Sequence, residues 1–310
     1  MQPILFVIPG LDLPVYGYGL MLGLAFLVGW YAALTSARWL RLDVDALYPA
    51  MAAAIVASIV GARLLYILTN LDEHWTFARM LNIRQGGLVA YGGYIAGVAA
   101  GVYVFMRKRV NAWAYVDAVT PLLAVGLGLT RIGCFLRGCC FGRVSDSPLA
   151  ISFPPESLVH DEHVKQGIPL LTDGWTTPVL PTQLFESMVG FSIAAIALAW
   201  LAFIRPRNLA SQEALERGET DAPPRRDGYA FVLFLALYAV WRFCVEFLRD
   251  DQARGWIGPL STSQFISLWM LALAIFLGAY WLPRHPWRRK SVEIDRATRR
   301  RQTRAGRRKR

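Results

Sequence analysis

Apolar residues form long stretches along the chain, separated by short segments that contain most of the charge. Seven of these stretches are roughly 20 residues long, the length that an α-helix needs to cross about 30 Å of hydrocarbon. They are Val15–Ala37, Ala46–Thr69, Gly87–Met106, Ala112–Leu136, Val179–Ile204, Gly228–Leu248 and Ser263–Leu282. The pattern predicts an all-α integral membrane protein, a bundle of about seven transmembrane helices.

Composition agrees with this class of protein. Hydrophobic residues make up 55% of the 310 residues, yet the formal net charge is +11. Apolar and basic residues must therefore be segregated along the chain, which is typical of membrane proteins. Because the repeated apolar stretches favour one bundle over two soluble domains, we expect residues 1–283 to form a single transmembrane domain.

The distribution of Lys and Arg predicts the orientation of the bundle, because cytoplasmic loops carry an excess of these residues. With the N-terminus outside, the basic positions Arg38 and Arg41, the cluster 107–109, the loop 205–226 and the tail from Arg284 all fall on the cytoplasmic side. We therefore expect an N-out, C-in topology.

Two segments lie outside the predicted spans. Residues 284–310 are strongly basic, and we expect a disordered cytoplasmic tail that binds anionic membrane lipids. Nucleic-acid binding is the alternative, but the tail lacks the interleaved aromatic residues of a base-stacking surface, so we expect no nucleic-acid partner. Residues 137–178 are too long for a simple turn and predict a small periplasmic cap with short strands or helices.

Five ionisable residues lie inside the predicted spans, where each costs several kcal/mol and suggests a function. They are Arg63, Arg131, Glu186, Arg242 and Glu246. In the predicted orientation all five lie near the outer ends of their helices, and Arg242 and Glu246 share one helix face because they are four residues apart. Their excess positive charge suits a phosphate head group held by guanidinium groups. The alternatives are snorkelling to the head groups or pairing that locks the bundle.

Glycines and cysteines surround Arg131 in the sequence. Gly126, Gly128, Gly133, Gly138 and Gly142 either pack helices closely or expose backbone N–H groups to an anion. Of the four cysteines, three lie in this region, at 134, 139 and 140. We expect small buried hydrophobic residues rather than a disulfide framework, and no metal or cofactor, although the adjacent pair at 139 and 140 leaves a redox or metal role open.

The segment from Arg131 to Arg143, RIGCFLRGCCFGR, resembles the signature of bacterial prolipoprotein diacylglyceryl transferases, close to G-R-x-G-N-F-x-N-G-x-x-x-G-R. The likeness combines an arginine, several glycines and the end of a helix. Further matches follow in order and extend the resemblance to about Pro283: Tyr16–Leu20, Gly61–Tyr66, Gly86–Gly93, Pro181–Glu186 and Trp241–Arg249.

The resemblance implies transfer of the diacylglyceryl group from phosphatidylglycerol to the thiol of the lipobox cysteine in a prolipoprotein signal peptide, with release of glycerol phosphate. It implies a multi-pass protein of the bacterial inner membrane with a periplasmic active site and no cofactor. Carried over by position, Arg131 and Arg242 hold the phosphate, and Glu186 and Glu246 orient these arginines or the peptide. The resemblance also assigns lipid binding to a second set of positions: Tyr18, Arg63, Cys134 and Gly142.

Tyr91 and Cys134 are departures from the family pattern that bear on the chemistry. Tyr91 stands where the family often has a histidine, a candidate general base, and Cys134 stands where it usually has an asparagine. An unperturbed tyrosine titrates near pH 10, so it is a poor base at neutral pH. We therefore predict that Tyr91 orients the substrate instead of removing a proton.

Two other functions remain as alternatives. Intramembrane charges and glycine-rich helix breaks also occur in transporters, but the predicted charges lie at one depth, and no duplicated half with matching broken helices is apparent. A structural scaffold would leave the five intramembrane charges unexplained.

Overall fold

In the computed structural model the described residues are 4–8, 13–71, 76–82, 87, 89–155, 157–217, 225–250 and 255–284. Most of them are helical. The helices are α1 (Gly17–Trp39), α2 (Val44–Thr69), α3 (Phe77–Leu81), α4 (Ala90–Lys108), α5 (Ala112–Arg137), α6 (Leu158–Gln166), α7 (Thr182–Glu216), α8 (Tyr229–Val245), α9 (Thr262–Ile275) and α10 (Leu282–Arg284). Two short antiparallel hairpins pair β1 (Ile4–Ile8) with β2 (Leu13–Tyr16), and β3 (Trp256–Ile257) with β4 (Leu260–Ser261). A 3-10 turn, Glu246–Leu248, follows α8, and a π-helical segment, Phe276–Trp281, joins α9 to α10.

Six helical segments of the described chain are long and apolar enough to cross a membrane, which confirms the prediction of an all-α integral membrane protein. They are Gly17–Trp39, Val44–Thr69, Ala112–Arg137, Thr182–Ala214, Tyr229–Leu248 and Thr262–Trp281. The remaining predicted span forms α4, which is not among these six. The count of seven and the N-out orientation stay predictions.

The chain packs as two compact units. Of the described residues, the first contains those within Met1–Ala33, Val116–Asn208 and Arg226–His285, and the second contains those within Leu34–Tyr115 and Leu209–Arg225. These are packing units, so the single transmembrane domain over 1–283 stays a prediction. The basic tail lies outside the described residues.

In the second unit, α2 and α4 approach each other through their backbones. A Cβ atom built on Gly61 would lie 2.5 Å from the carbonyl oxygen of Gly92, and one on Gly93 would lie 3.0 Å from that of Ser58. Small residues allow this approach, as in many membrane helix pairs. The glycines along α4 thus serve helix packing.

In the first unit, α5, α7 and α8 share a core. A Cβ atom built on Gly190 of α7 would lie 2.9 Å from the backbone nitrogen of Gly128 of α5, and the Ser187 hydroxyl donates to the Gly128 carbonyl at 2.9 Å. A buried cluster of Ala124, Ile193 and Ala194 continues this contact toward side chains of α8. The close approach fixes the relative positions of side chains on the three helices.

Asp117 on α5 is a buried carboxylate that the sequence analysis did not single out. Its two carboxylate oxygens accept hydrogen bonds from the backbone N–H groups of Gly228, at 2.6 Å, and Phe231, at 3.1 Å. These N–H groups begin α8 and have no partner within that helix. Asp117 therefore acts as an N-cap supplied by another helix, and it ties the start of α8 to α5.

The segment after α5 joins the ends of three helices. The N–H of Gly142 donates to the Leu180 carbonyl at 2.9 Å, the N–H of Leu180 donates to the Arg143 carbonyl at 3.1 Å, and the N–H of Arg143 donates to the Leu248 carbonyl at 2.9 Å. Leu180 precedes α7, and Leu248 ends the turn after α8. Residues 142–143 are therefore held between the start of α7 and the end of α8.

Residues 137–178 contain the predicted short elements. Helix α6 begins at the N-cap Ser157, whose hydroxyl accepts from the His160 N–H, and ends at Gly167 in a left-handed conformation. Phe141, Phe153, Val159 and Val179 form a small buried core. Burial also lowers the pKa of His163 of α6 below its usual value, so this side chain is neutral at pH 7. The periplasmic location of this cap stays a prediction.

Gly142 provides a test of how the helix ends are joined. A Cβ atom there would lie 2.7 Å from the Leu248 carbonyl oxygen and 2.8 Å from Leu180 Cβ, so Gly142→Ala should cost about 1–3 kcal/mol of stability through overpacking. The control is Gly126→Ala in α5, where a Cβ atom meets nothing within 4 Å. Thermal unfolding in detergent micelles should show a lower Tm for the first variant only, and equal Tm values would contradict the close approach.

Candidate active site

Arg131 and Glu186 form a buried ion pair between α5 and α7. The Arg131 Nη2 and Glu186 Oε2 atoms are 2.8 Å apart, and the Glu186 side chain is 1% exposed. Both residues lie close to the Gly128–Gly190 contact, where the two helix backbones come nearest. The approach of the helices therefore places the two side chains in contact, although they are far apart in sequence.

Arg242 and Glu246 form a second buried pair at the end of α8. Their Nη1 and Oε2 atoms are 2.7 Å apart, as expected for residues four positions apart on one helix face. The other terminal nitrogen of Arg242 donates to the Ser263 hydroxyl of α9 at 2.7 Å. Ser263, which sequence reasoning missed, is thus a second partner that fixes the guanidinium group.

The two pairs belong to one packed region of the first unit. Arg131 interacts electrostatically with Tyr238 of α8, and Tyr238 precedes Arg242 by one helical turn. Four of the five predicted intramembrane charges therefore lie in this unit, and their convergence at one depth stays a prediction.

Two buried acceptor oxygens of α7 accept no hydrogen bond from the described residues, apart from the ion pair of Glu186 with Arg131. They are Glu186 Oε1 and Gln183 Oε1, and both are buried. Gln183 precedes Glu186 by three residues, so the two side chains lie on the same face of α7. Buried polar atoms are normally hydrogen-bonded, so this face of α7 suits a polar ligand group that donates.

The start of α7 is bound to the loop that follows α5. The Thr182 hydroxyl donates to the Cys140 carbonyl at 2.8 Å, and the Gln183 amide donates to the Cys139 carbonyl at 2.8 Å. Neither Thr182 nor Gln183 was singled out from the sequence, although both lie in the matched segment Pro181–Glu186. Their polar side chains at the start of an apolar helix were the available signal.

The same loop brings three thiols together. The Sγ atoms of Cys134, Cys139 and Cys140 all lie within 4.8 Å of one another. The pKa of the Cys140 thiol lies well below its usual value, because the other two thiols donate hydrogen bonds to it and because Arg131 and Arg249 stabilise its thiolate. The sequence did not show that Cys134 joins the adjacent pair.

Three residues predicted to bind lipid lie in this unit. Tyr18 of α1 packs on Gly133, where an added Cβ atom would lie 3.2 Å from the tyrosine ring. Cys134 is buried three residues after Arg131. The N–H of Gly142 donates to the Leu180 carbonyl, which supports the interpretation that this glycine packs helices closely and does not bind an anion. The assignment of these residues to lipid binding stays a prediction.

Arg63 lies in the second unit. Its guanidinium group is buried and donates to the backbone carbonyls of Arg79 at 2.6 Å, Gly87 at 2.9 Å and Met80 at 3.0 Å. These three peptide oxygens accept hydrogen bonds from the guanidinium group of Arg63. The convergence of Arg63 with the other four charges stays a prediction. The side chain of Tyr91, a further predicted site residue, lies outside the described part of the chain.

The geometry provides two fixed guanidinium groups in an apolar region. Each is held by one carboxylate, and Arg242 also by the Ser263 hydroxyl. The N–H groups that these contacts do not use can donate to a ligand. Guanidinium groups bind phosphate through paired hydrogen bonds, and these are strong where water is excluded. The arrangement therefore suits binding of an anionic phosphate group and stabilisation of negative charge that develops on it.

Comparison with known proteins agrees with this site. Residues 3–280 match the family model described as prolipoprotein diacylglyceryl transferase. The chain is 32% identical to phosphatidylglycerol–prolipoprotein diacylglyceryl transferase 2 of Clostridium perfringens, over 86% of this chain and 90% of that protein. It is 31% identical to the corresponding enzyme of Clostridium tetani, over 89% and 96%, and 30% identical to that of Geobacter sulfurreducens, over 83% and 87%. The chain belongs to the prolipoprotein diacylglyceryl transferase family.

Proposed function

We propose that this chain transfers the diacylglyceryl group of phosphatidylglycerol to the lipobox cysteine thiol of a prolipoprotein, the first step of lipoprotein maturation. The observation that carries the proposal is the buried Arg131–Glu186 pair. Its arginine lies in the segment that resembles the family signature, and a second arginine of the same unit, Arg242, is held by a carboxylate in the same way.

The reaction forms a carbon–sulfur bond and breaks a carbon–oxygen bond. The substrate sulfur attacks the carbon of the diacylglyceryl group that bears the phosphate. The electrons of the broken carbon–oxygen bond leave with the phosphate oxygen, and the released product is glycerol phosphate. The thiol loses its proton to the solvent or to the released phosphate. Negative charge therefore increases on the phosphate during the step, and Arg131 and Arg242 stabilise this charge.

The carboxylates act on the arginines. Glu186 and Glu246 hold the guanidinium groups in place through the two ion pairs, so the arginines do not need to reorganise when charge develops. Two buried side-chain oxygens, Glu186 Oε1 and Gln183 Oε1, accept hydrogen bonds from the incoming peptide or from the glycerol head group. Guanidinium groups near the substrate thiol also favour its thiolate, the nucleophilic form.

Lipid binding is assigned to four further positions: Tyr18, Arg63, Cys134 and Gly142. Contact between Tyr18 and Gly133 supports a place for Tyr18 near Arg131. Glycine at 142 keeps the ends of α7 and α8 close to the site, so its contribution to lipid binding is indirect.

We place the protein in the bacterial inner membrane as a multi-pass protein with its active site on the periplasmic side. The excess of Lys and Arg in segments on one side of the predicted spans supports this orientation. Both substrates, phosphatidylglycerol and a signal peptide with a lipobox cysteine, reach the site from the membrane, and no nucleic acid takes part.

The reaction can be tested with the full chain in micelles that contain phosphatidylglycerol and a synthetic lipobox peptide. Mass spectrometry should show a diacylglyceryl adduct on the peptide cysteine, and Arg131→Ala should reduce its formation by about 100-fold or more. Arg137→Ala is the matched control, because Arg137 lies in the same segment but is exposed, and it should keep near-normal activity. Absence of the adduct with a folded wild-type chain, together with substrate flux in proteoliposomes, would favour a transporter instead.

Tyr91 provides a second test, because it stands where the family often has a histidine. If Tyr91 orients the substrate, Tyr91→Phe keeps most of the transfer rate, since an aromatic ring of nearly the same shape remains. A loss of roughly 100-fold or more, the size expected for removal of a general base, would show that the phenolic proton is transferred. The measurement is the initial rate of adduct formation with equal amounts of folded protein.

A further inference from the structure

The three thiols at the end of α5 are held by their backbone. Cys134 lies in the last turn of the helix, and the chain then reverses through Gly138 and Cys140, whose φ angles of 71° and 59° are left-handed. The N–H of Cys139 donates to the Cys134 carbonyl at 3.1 Å. A left-handed conformation is uncommon for a residue other than glycine, so the backbone at Cys140 is specifically constrained.

Contacts from α7 hold this loop in place. Thr182 and Gln183 donate to the carbonyls of Cys140 and Cys139. Both donors are buried, so water does not compete for these hydrogen bonds. These hydrogen bonds fix the backbone at Cys139 and Cys140, and thereby the positions of their thiols.

The distances between the sulfur atoms suit a shared cation. All three Sγ atoms lie within 4.8 Å of one another, and a planar three-coordinate centre with metal–sulfur bonds of roughly 2.3 Å separates its sulfur atoms by roughly 4 Å. Small side-chain rotations are enough to reach this geometry. Cys139 and Cys140 are partly exposed, so an ion can enter, whereas Cys134 is buried.

The ligand set selects the type of ion. Thiolates prefer soft cations such as Cu⁺ and Zn²⁺. Structural zinc sites almost always have four ligands, and within the described residues no histidine or carboxylate joins the three cysteines. Three thiolates without a fourth ligand therefore favour Cu⁺ over Zn²⁺.

The positive charge near the three thiols also favours a thiolate centre with bound Cu⁺. Three thiolates and one Cu⁺ ion carry a net charge of minus two, which is costly beside a membrane unless positive groups compensate it. Arg131 and Arg249 both interact electrostatically with Cys140. Two guanidinium groups thus reduce the cost of this charge, although Arg131 is also paired with Glu186.

We propose that Cys134, Cys139 and Cys140 form a three-coordinate thiolate site for Cu⁺, next to Arg131. The site shares Cys134 with the proposed lipid-binding positions, but no step of the transfer reaction takes place at the ion. Binding requires that the three side chains be reduced, and it releases the protons of those that are still thiols.

The test is an anaerobic titration of the reduced full chain in micelles with Cu⁺, in competition with a colorimetric Cu⁺ chelator. We expect one ion per chain and an X-ray absorption spectrum with three sulfur neighbours at roughly 2.3 Å. Loss of a residue that only hydrogen-bonds to a metal ligand weakens metal binding by roughly 10- to 100-fold. Serine substitution of any of the three cysteines removes a ligand itself, so it should weaken Cu⁺ binding by more than this. Cys244→Ser, at an exposed position in α8, is the control and should bind as the wild type does.

A second measurement on the wild-type chain does not depend on the folding of variants. Bound Cu⁺ should protect the three cysteines from alkylation, mapped by mass spectrometry, and should leave Cys244 reactive. Unchanged binding in the serine variants, a spectrum with two or fewer sulfur neighbours, or protection of Cys244 alone would overturn the proposal.

Discussion

The buried ion pair between Arg131 and Glu186 is the interaction on which the rest of the first unit depends. An arginine inside an apolar bundle must be paired, because an unpaired buried charge costs about 3–5 kcal/mol. Pairing requires α5 and α7 to approach closely, and Gly128 and Gly190 make this possible because side chains there would collide with the neighbouring helix. The geometry of the site is therefore a consequence of helix packing.

Further contacts keep this geometry rigid. Asp117 fixes the start of α8 to α5, and the segment 142–143 joins the end of α8 to the start of α7. The second pair, Arg242 with Glu246, is thereby held at a defined position near the first. Rigid guanidinium groups suit a reaction in which charge increases on a phosphate, because they need no reorganisation when that charge appears.

Local patterns allowed much of the fold to be predicted. Apolar stretches gave the long helices to within a few residues at most ends, and four-residue spacing was enough to predict contact between Arg242 and Glu246. The sequence also suggested five converging charges, but spacing could not decide which arginine meets Glu186, since that pairing depends on two distant helices. Pairing of Arg131 with Glu186 became visible only in the packed structure.

Other features depend on tertiary contacts that leave little trace in the sequence. Asp117 lies within a predicted span, and its role as a cap for α8 depends on a residue more than 100 positions away. Cys134 meets the adjacent cysteine pair only because the chain reverses through a left-handed Cys140.

A double-mutant cycle on Arg131 and Glu186 tests most directly whether the two residues act as one unit in the transfer reaction. The initial rates of diacylglyceryl transfer would be compared for Arg131→Gln, Glu186→Gln, the double variant and the wild type. If the carboxylate acts by holding the arginine, the double variant should lose no more activity than the worse single variant. Losses that multiply in the double variant would show that the two residues act independently and would contradict this account of the site.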